Sequence, residues 1–187
     1  MFAVILLLVI VGLVLLIVLG PVLLYNRLVQ RRNRVDNAWA QVEVQLKRRW
    51  DLIPNLVESV KGYAEHERGT FEAVTEARTA AQNAKTPADT AAAEGFLGAA
   101  LGKLFAVAEA YPELQADENF RQLQTELSET ENRVAVSRQV YNDSVLTYNN
   151  TVQTFPGALF AGPFGFSIRE FFEVEEETQR EAPVVDF

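Results

Sequence analysis

Residues Phe2 to Leu24 carry no charge, and apart from Ala3, Gly12, Gly20 and Pro21 all of them are Leu, Ile, Val or Phe. As a helix this stretch rises about 34 Å, enough to cross a hydrocarbon core of about 30 Å. It is apolar on every side, so it has no polar face to turn toward water. Each such residue near the bilayer centre favours insertion by about 0.3–0.6 kcal/mol, and nothing opposes the sum. The pattern predicts one transmembrane anchor over residues 1–24. A cleaved signal peptide fits poorly, because only Met1 precedes the apolar run and Gly20-Pro21-Val22 is a weak cleavage site. A lipoprotein signal needs a cysteine, and the chain has none. A buried core helix of this length would show a polar stripe.

The flanks set the orientation. Arg27, Arg31, Arg32 and Arg34 follow the span directly, with Lys47, Arg48 and Arg49 further on. Basic residues stay on the cytoplasmic side, so the N-terminus is expected outside and the body in the cytoplasm. Arg27, Arg31, Arg32 and Arg34 form a candidate membrane-surface cluster, each worth about 1 kcal/mol beside anionic headgroups. Nucleic acid is a poor partner for a chain of net charge −8 whose basic cluster abuts the membrane. The absence of cysteine removes disulfides and thiolate metal sites, and fits a reducing compartment.

Beyond the anchor the chain reads as helix, with no sustained period-two alternation. One apolar series runs Leu28, Val35, Trp39, Val42, Leu46 and Trp50; a second runs Ile53, Val57, Val60, Ala64, Phe71 and Val74. A third, alanine-rich segment opens at Thr86-Pro87 and ends before Tyr111-Pro112. The fourth is capped by Asp117 or Asn119, and its seam is Phe120, Leu123, Leu127, Thr130, Val134, Ser137, Tyr141, Val145, Tyr148, Val152 and Phe155. Between the first two series stands Asp51-Leu52-Ile53-Pro54. Proline breaks a helix interior at about 3 kcal/mol but suits a first turn, so either a hairpin or one kinked helix fits. Segment lengths favour the hairpin. The expected fold is all-α: the anchor, then an antiparallel up-and-down four-helix bundle over residues 25–155, with long, coiled-coil-like helices.

Residues 156–187 differ in kind. The run from Phe155 to Phe166 mixes large apolar groups with glycine and proline, which exclude a regular helix. Phe155, Leu159, Phe160, Phe164 and Phe166 are therefore the candidate interaction residues, since an apolar loop needs a cover. They either enter the membrane interface or wrap the bundle as a satellite cluster. Ser167 to Glu177 reads as a short helix with Phe171 and Phe172 as its contact, and Pro183 to Phe187 as an extended tail.

Catalytic and metal constellations are scarce. His66 is the one histidine, so neither a His-Glu-x-x-His site nor a di-iron bundle can form, and no Gly-x-Ser-x-Gly elbow exists. Glu126, Glu129 and Glu131 read as a solvated helix face rather than as metal ligands. No cofactor, metal, small-molecule substrate or catalytic residue is expected. Asn26, Asn33, Asn37, Asn142, Asn149 and Asn150 lie near the seams; the plainer reading is control of helix register, the sharper one self-association.

Several strings resemble the bacterial LemA family. They are Tyr25-Asn26-x-Leu28-Val29-x-x-Arg32-Asn33-x-Val35-x-Asn37-Ala38-Trp39, then Val44 through Val57 around Asp51-Leu52-Ile53-Pro54-Asn55, then Val60-Lys61-Gly62-Tyr63-x-x-His66-Glu67. The carboxyl half adds Glu131-Asn132, Arg138-x-x-Tyr141-Asn142, Tyr148-Asn149, Phe155-Pro156, Phe166 and a Pro-x-Val-x-Phe ending. The resemblance implies a single-pass protein with an extracytoplasmic N-terminus and a cytoplasmic four-helix bundle, and it supplies no catalytic residues. It also links relatives with membrane organisation and, through neighbouring genes, with membrane-protein quality control. The expected function is a non-enzymatic, membrane-anchored helical scaffold whose partners are the lipid bilayer and other proteins or copies of itself. The alternative is an accessory of a membrane enzyme such as a protease.

Overall fold

The computed structural model describes residues 1–173, so the tail expected at Pro183–Phe187 lies outside the described residues. Among the described residues every regular element is helical. They are α1 (Phe2–Lys61), α2 (Arg68–Asn83), α3 (Pro87–Glu109), α4 (Pro112–Ala116), α5 (Glu118–Gln153) and α6 (Gly157–Phe160).

The reversal expected at Asp51–Pro54 does not occur: α1 is one helix of 60 residues. Pro54 removes the N–H that would bond the Trp50 carbonyl one turn earlier. The Arg78 Nε of α2 donates to that carbonyl instead, at 2.8 Å, so the vacancy left by proline is filled from a neighbouring helix. The buried seam crosses Pro54 in register, through Leu46, Arg49, Ile53, Leu56 and Val60. The chain turns only after Lys61, where the amides of Tyr63 and Ala64 both donate to the Val60 carbonyl at 3.0 Å. Segment lengths favour a hairpin only within a single bundle, whereas α1 and α5 each serve two compact units.

Among the described residues the first unit comprises Met1–Ala40 and Val140–Arg169, and the second comprises Gln41–Gln139 with residues 170–173. In the first, Leu28, Val35 and Ala38 of α1 and Tyr141, Val145, Tyr148 and Val152 of α5 are buried, and Trp39 packs on Tyr141 with ring centroids 5.1 Å apart. The second has one apolar core drawn from the end of α1 (Ile53, Leu56, Val60), α2 (Phe71, Val74), α3 (Leu97, Leu101, Leu104), Leu114 of α4 and the start of α5 (Phe120, Leu127).

Local signals set the helix ends. Thr86 caps α3 by accepting from the Asp89 amide at 3.1 Å, ahead of Pro87. Asp117, rather than Asn119, caps α5 by accepting from the Phe120 amide at 2.8 Å. The α5 seam is buried or half-buried from Phe120 to Val152, but Phe155 falls beyond the helix end and is exposed. The short helix expected from Ser167 is absent over residues 167–173, which have no regular structure; the rest of that expectation lies outside the described residues.

Among the described residues two helices are long and apolar enough to cross a membrane, α1 in its first part and α3. They differ in context. From Phe2 to Leu15 every residue of α1 is exposed. α3 instead buries Leu97, Leu101, Leu104 and the charged Glu94 within the second unit, which marks it as that unit's core helix.

Candidate functional site

In the first unit the loop that follows α5 packs on α1 immediately after the apolar run. α5 ends at Gln153, and a cis Phe155-Pro156 peptide leads into α6. Gly157 is buried against α5 so closely that a Cβ would collide with the Thr151 carbonyl, which is why the loop needs glycine there. Gly165, with φ +72°, supplies the left-handed turn that brings Phe166 back into the core. The Tyr25 ring receives two aromatic edges, from Phe164 at 5.5 Å and from Phe166 at 5.7 Å. The Arg32 guanidinium lies over the Phe166 ring at 5.3 Å.

The segment after Phe166 is clamped by polar groups. The Asn149 side chain donates to the Arg169 carbonyl and accepts from the Arg169 amide, both at 2.8 Å. Arg169 pairs with Asp36 of α1 at 3.0 Å. Arg31 donates to the Thr147 carbonyl at 2.7 Å, tying α1 to α5.

The five candidate loop residues therefore divide. Phe166 is core at 5 % exposure, and Phe160 is half-buried, stacked on Phe164. Phe155 at 81 %, Leu159 at 63 % and Phe164 remain exposed, with Ile168 beside them in sequence. Within the basic cluster Arg31 and Arg32 are half-buried in the contacts above, whereas Arg27 and Arg34 are exposed. Burial, with the charges of Arg27 and Arg34, lowers the pKa of Arg31. Of the asparagines, Asn149 is the buried amide that organises a segment, while Asn26, Asn33, Asn37 and Asn150 are exposed and control no buried register.

The second unit holds a polar node that the sequence reading missed. Arg49 stands in the basic run with Lys47 and Arg48, yet its side chain is only 9 % exposed. It donates to Glu94 at 2.9 Å, the Trp50 indole donates to the other Glu94 oxygen at 2.6 Å, and Glu131 lies 4.0 Å from the Arg49 guanidinium. Burial raises the Glu94 pKa, against the Trp50 hydrogen bond and the Arg49 charge. A sign was available: Arg49 sits on the seam between Leu46 and Ile53, and Glu94 between Ala91 and Leu97. Above the node a cleft of about 1370 Å³ runs between α3 and α5, walled by Ala91, Ala92, Gly95 and Ala135 and flanked by the exposed Phe96. Among the described residues no group of three or more His, Cys, Asp or Glu is placed to hold a metal.

The sequence model of the LemA family matches residues 38–187. The chain belongs to the LemA family. It is 28 % identical over 187 aligned residues to magnetosome protein MamQ 2 of Paramagnetospirillum magneticum, covering 86 % of this chain and 68 % of that protein. Magnetosome protein MamQ of Magnetospirillum gryphiswaldense matches at 27 % over the same shares. Protein LemA of Metamycoplasma hominis is 26 % identical over 134 residues, 70 % of this chain and 60 % of that protein. The family match takes in all of α5, the loop and the Arg49–Glu94 node, but begins after Tyr25 and the arginine cluster.

Proposed function

We propose that this chain is a membrane-anchored, non-catalytic helical interaction protein of the bacterial cytoplasmic membrane. The apolar start of α1 is its single span, with the N-terminus outside and the body in the cytoplasm. The loop from Phe155 to Phe166 makes a second contact, at the membrane interface. One observation carries this: Phe164 and Phe166 pack on Tyr25, the residue that follows the apolar run, while Phe155, Leu159 and Phe164 stay exposed. Exposed aromatic groups at that depth suit the headgroup region. The relatives support a non-catalytic role in that the MamQ names specify a magnetosome and no reaction.

The finer arrangement we propose for the second unit is a bundle of four segments, the end of α1 with α2, α3 and the start of α5. The cleft beside Phe96 favours a protein partner there, whether another copy in a scaffold or a membrane enzyme such as a protease that the chain assists. A cysteine replacing the exposed Lys85, next to the α3 cap, tests the topology. It should resist a membrane-impermeant thiol reagent in intact cells and react once the cells are opened. Labelling in intact cells would reverse the orientation.

A further inference from the structure

The first unit carries five arginines against two aspartates, a net of +3, in a chain of net charge −8. One of those aspartates, Asp36, is already paired with Arg169. Arg27, Arg31 and Arg34 stand at i, i+4 and i+7 on α1, one stripe of like charge. Arg31 spends a donor on the Thr147 carbonyl and Arg32 faces Phe166. Arg27 and Arg34 are exposed, and among the described residues no carboxylate pairs with either. The stripe thus holds cations that crowd one another without an internal counterion.

We infer that Arg27 and Arg34 attract the phosphates of anionic phospholipids, Arg27 by direct contact and Arg34 at longer range, with the exposed rings of the loop seated among the same lipids. This rests on the membrane-anchored reading above. Arg27 lies three residues beyond Leu24, about 4.5 Å along the helix axis, inside a headgroup layer about 5–8 Å deep. Arg34 is about 15 Å out, but helical side chains lean toward the N-terminus, here toward the lipid. That lean brings its guanidinium within about one Debye length of the phosphates. Lipid is favoured over an acidic protein surface because the span fixes Arg27 at headgroup depth before any partner arrives.

The test uses the full chain reconstituted in phosphatidylcholine vesicles with trace spin-labelled phosphatidylglycerol or phosphatidylcholine, and reads the fraction of each label immobilised by protein. The wild type should immobilise phosphatidylglycerol several-fold in preference. Arg27→Gln with Arg34→Gln should bring the two lipids close to parity, a loss of up to about fivefold per arginine, with Arg27→Gln the stronger alone. Arg121→Gln, on the second unit, should leave the preference intact. An undiminished preference in the double variant overturns the site. So does its abolition by millimolar inorganic phosphate, which marks a diffusible-anion site, or a change in oligomeric state with unchanged lipid preference, which marks an acidic protein as the counterion. Extraction of the wild type by alkaline carbonate would overturn the anchor itself; retention with no lipid preference would overturn this inference alone.

Discussion

The two units of this chain use charge in opposite ways. The unit containing the apolar run carries +3, whereas the described residues of the other have 11 basic groups against 18 acidic ones, a net of −7. In the first, arginines stay at or near the surface and reach aromatic rings and main-chain carbonyls: Arg32 to Phe166, Arg31 to Thr147. In the second, one arginine is sunk into the core and answered by Glu94. A half-buried guanidinium keeps part of its hydration, so removing a contact costs little. A buried ion pair has given up that hydration, and deleting one partner strands the other. Similar side chains should therefore respond very differently to substitution in the two units.

The largest effect is expected at the buried pair. Glu94→Ala should destabilise the second unit by about 3–5 kcal/mol, read as faster hydrogen exchange along α3 with α5 amides from Val140 onward unaffected. Glu94 also predicts a pH signature. Its folded-state pKa is raised, chiefly by burial, so the folded state holds the proton more tightly than the unfolded chain. The stability it contributes is complete below the ordinary carboxylate range and is lost as pH rises through the raised value. The stability of the wild type relative to Glu94→Gln should fall over that interval and then level off; a rise would contradict the account.

Arg78→Ala should cost less, about 1–3 kcal/mol, because it leaves the Trp50 carbonyl without the donor that replaces Pro54's missing N–H. Its exchange signature should centre on Trp50 to Ile53. Asp36→Asn should do least, under about 1 kcal/mol, since the Asp36–Arg169 pair is solvent-exposed and the Asn149 clamp still holds the segment. A loss at Asp36 as large as that at Glu94 would erase the distinction between the units.

The sequence reveals these features unevenly. Helix seams are legible because burial repeats with helical period: every α5 position from Phe120 to Val152 on the three-four series is at least half-buried. Caps are legible because Thr86-Pro87 and Asp117 act within one turn. Pro54 misleads because the group that rescues it, Arg78, belongs to the next helix. Arg49 misleads because it stands in a run with Lys47 and Arg48, both exposed, although its seam position argued for burial. The candidate loop is legible as apolar and non-repetitive. Which of its rings turn inward depends on Tyr25, about 140 residues earlier in the chain.

The depth of Leu159 tests the central claim most directly. With a spin label at position 159 in the full chain reconstituted in vesicles, and a second at Ala99 as reference, collision with dissolved oxygen can be compared with collision with a water-soluble nickel chelate. The account predicts that position 159 favours oxygen and is shielded from nickel, as at the headgroup boundary, while Ala99 is open to nickel. Equal nickel access at both positions would show that the loop does not touch the membrane.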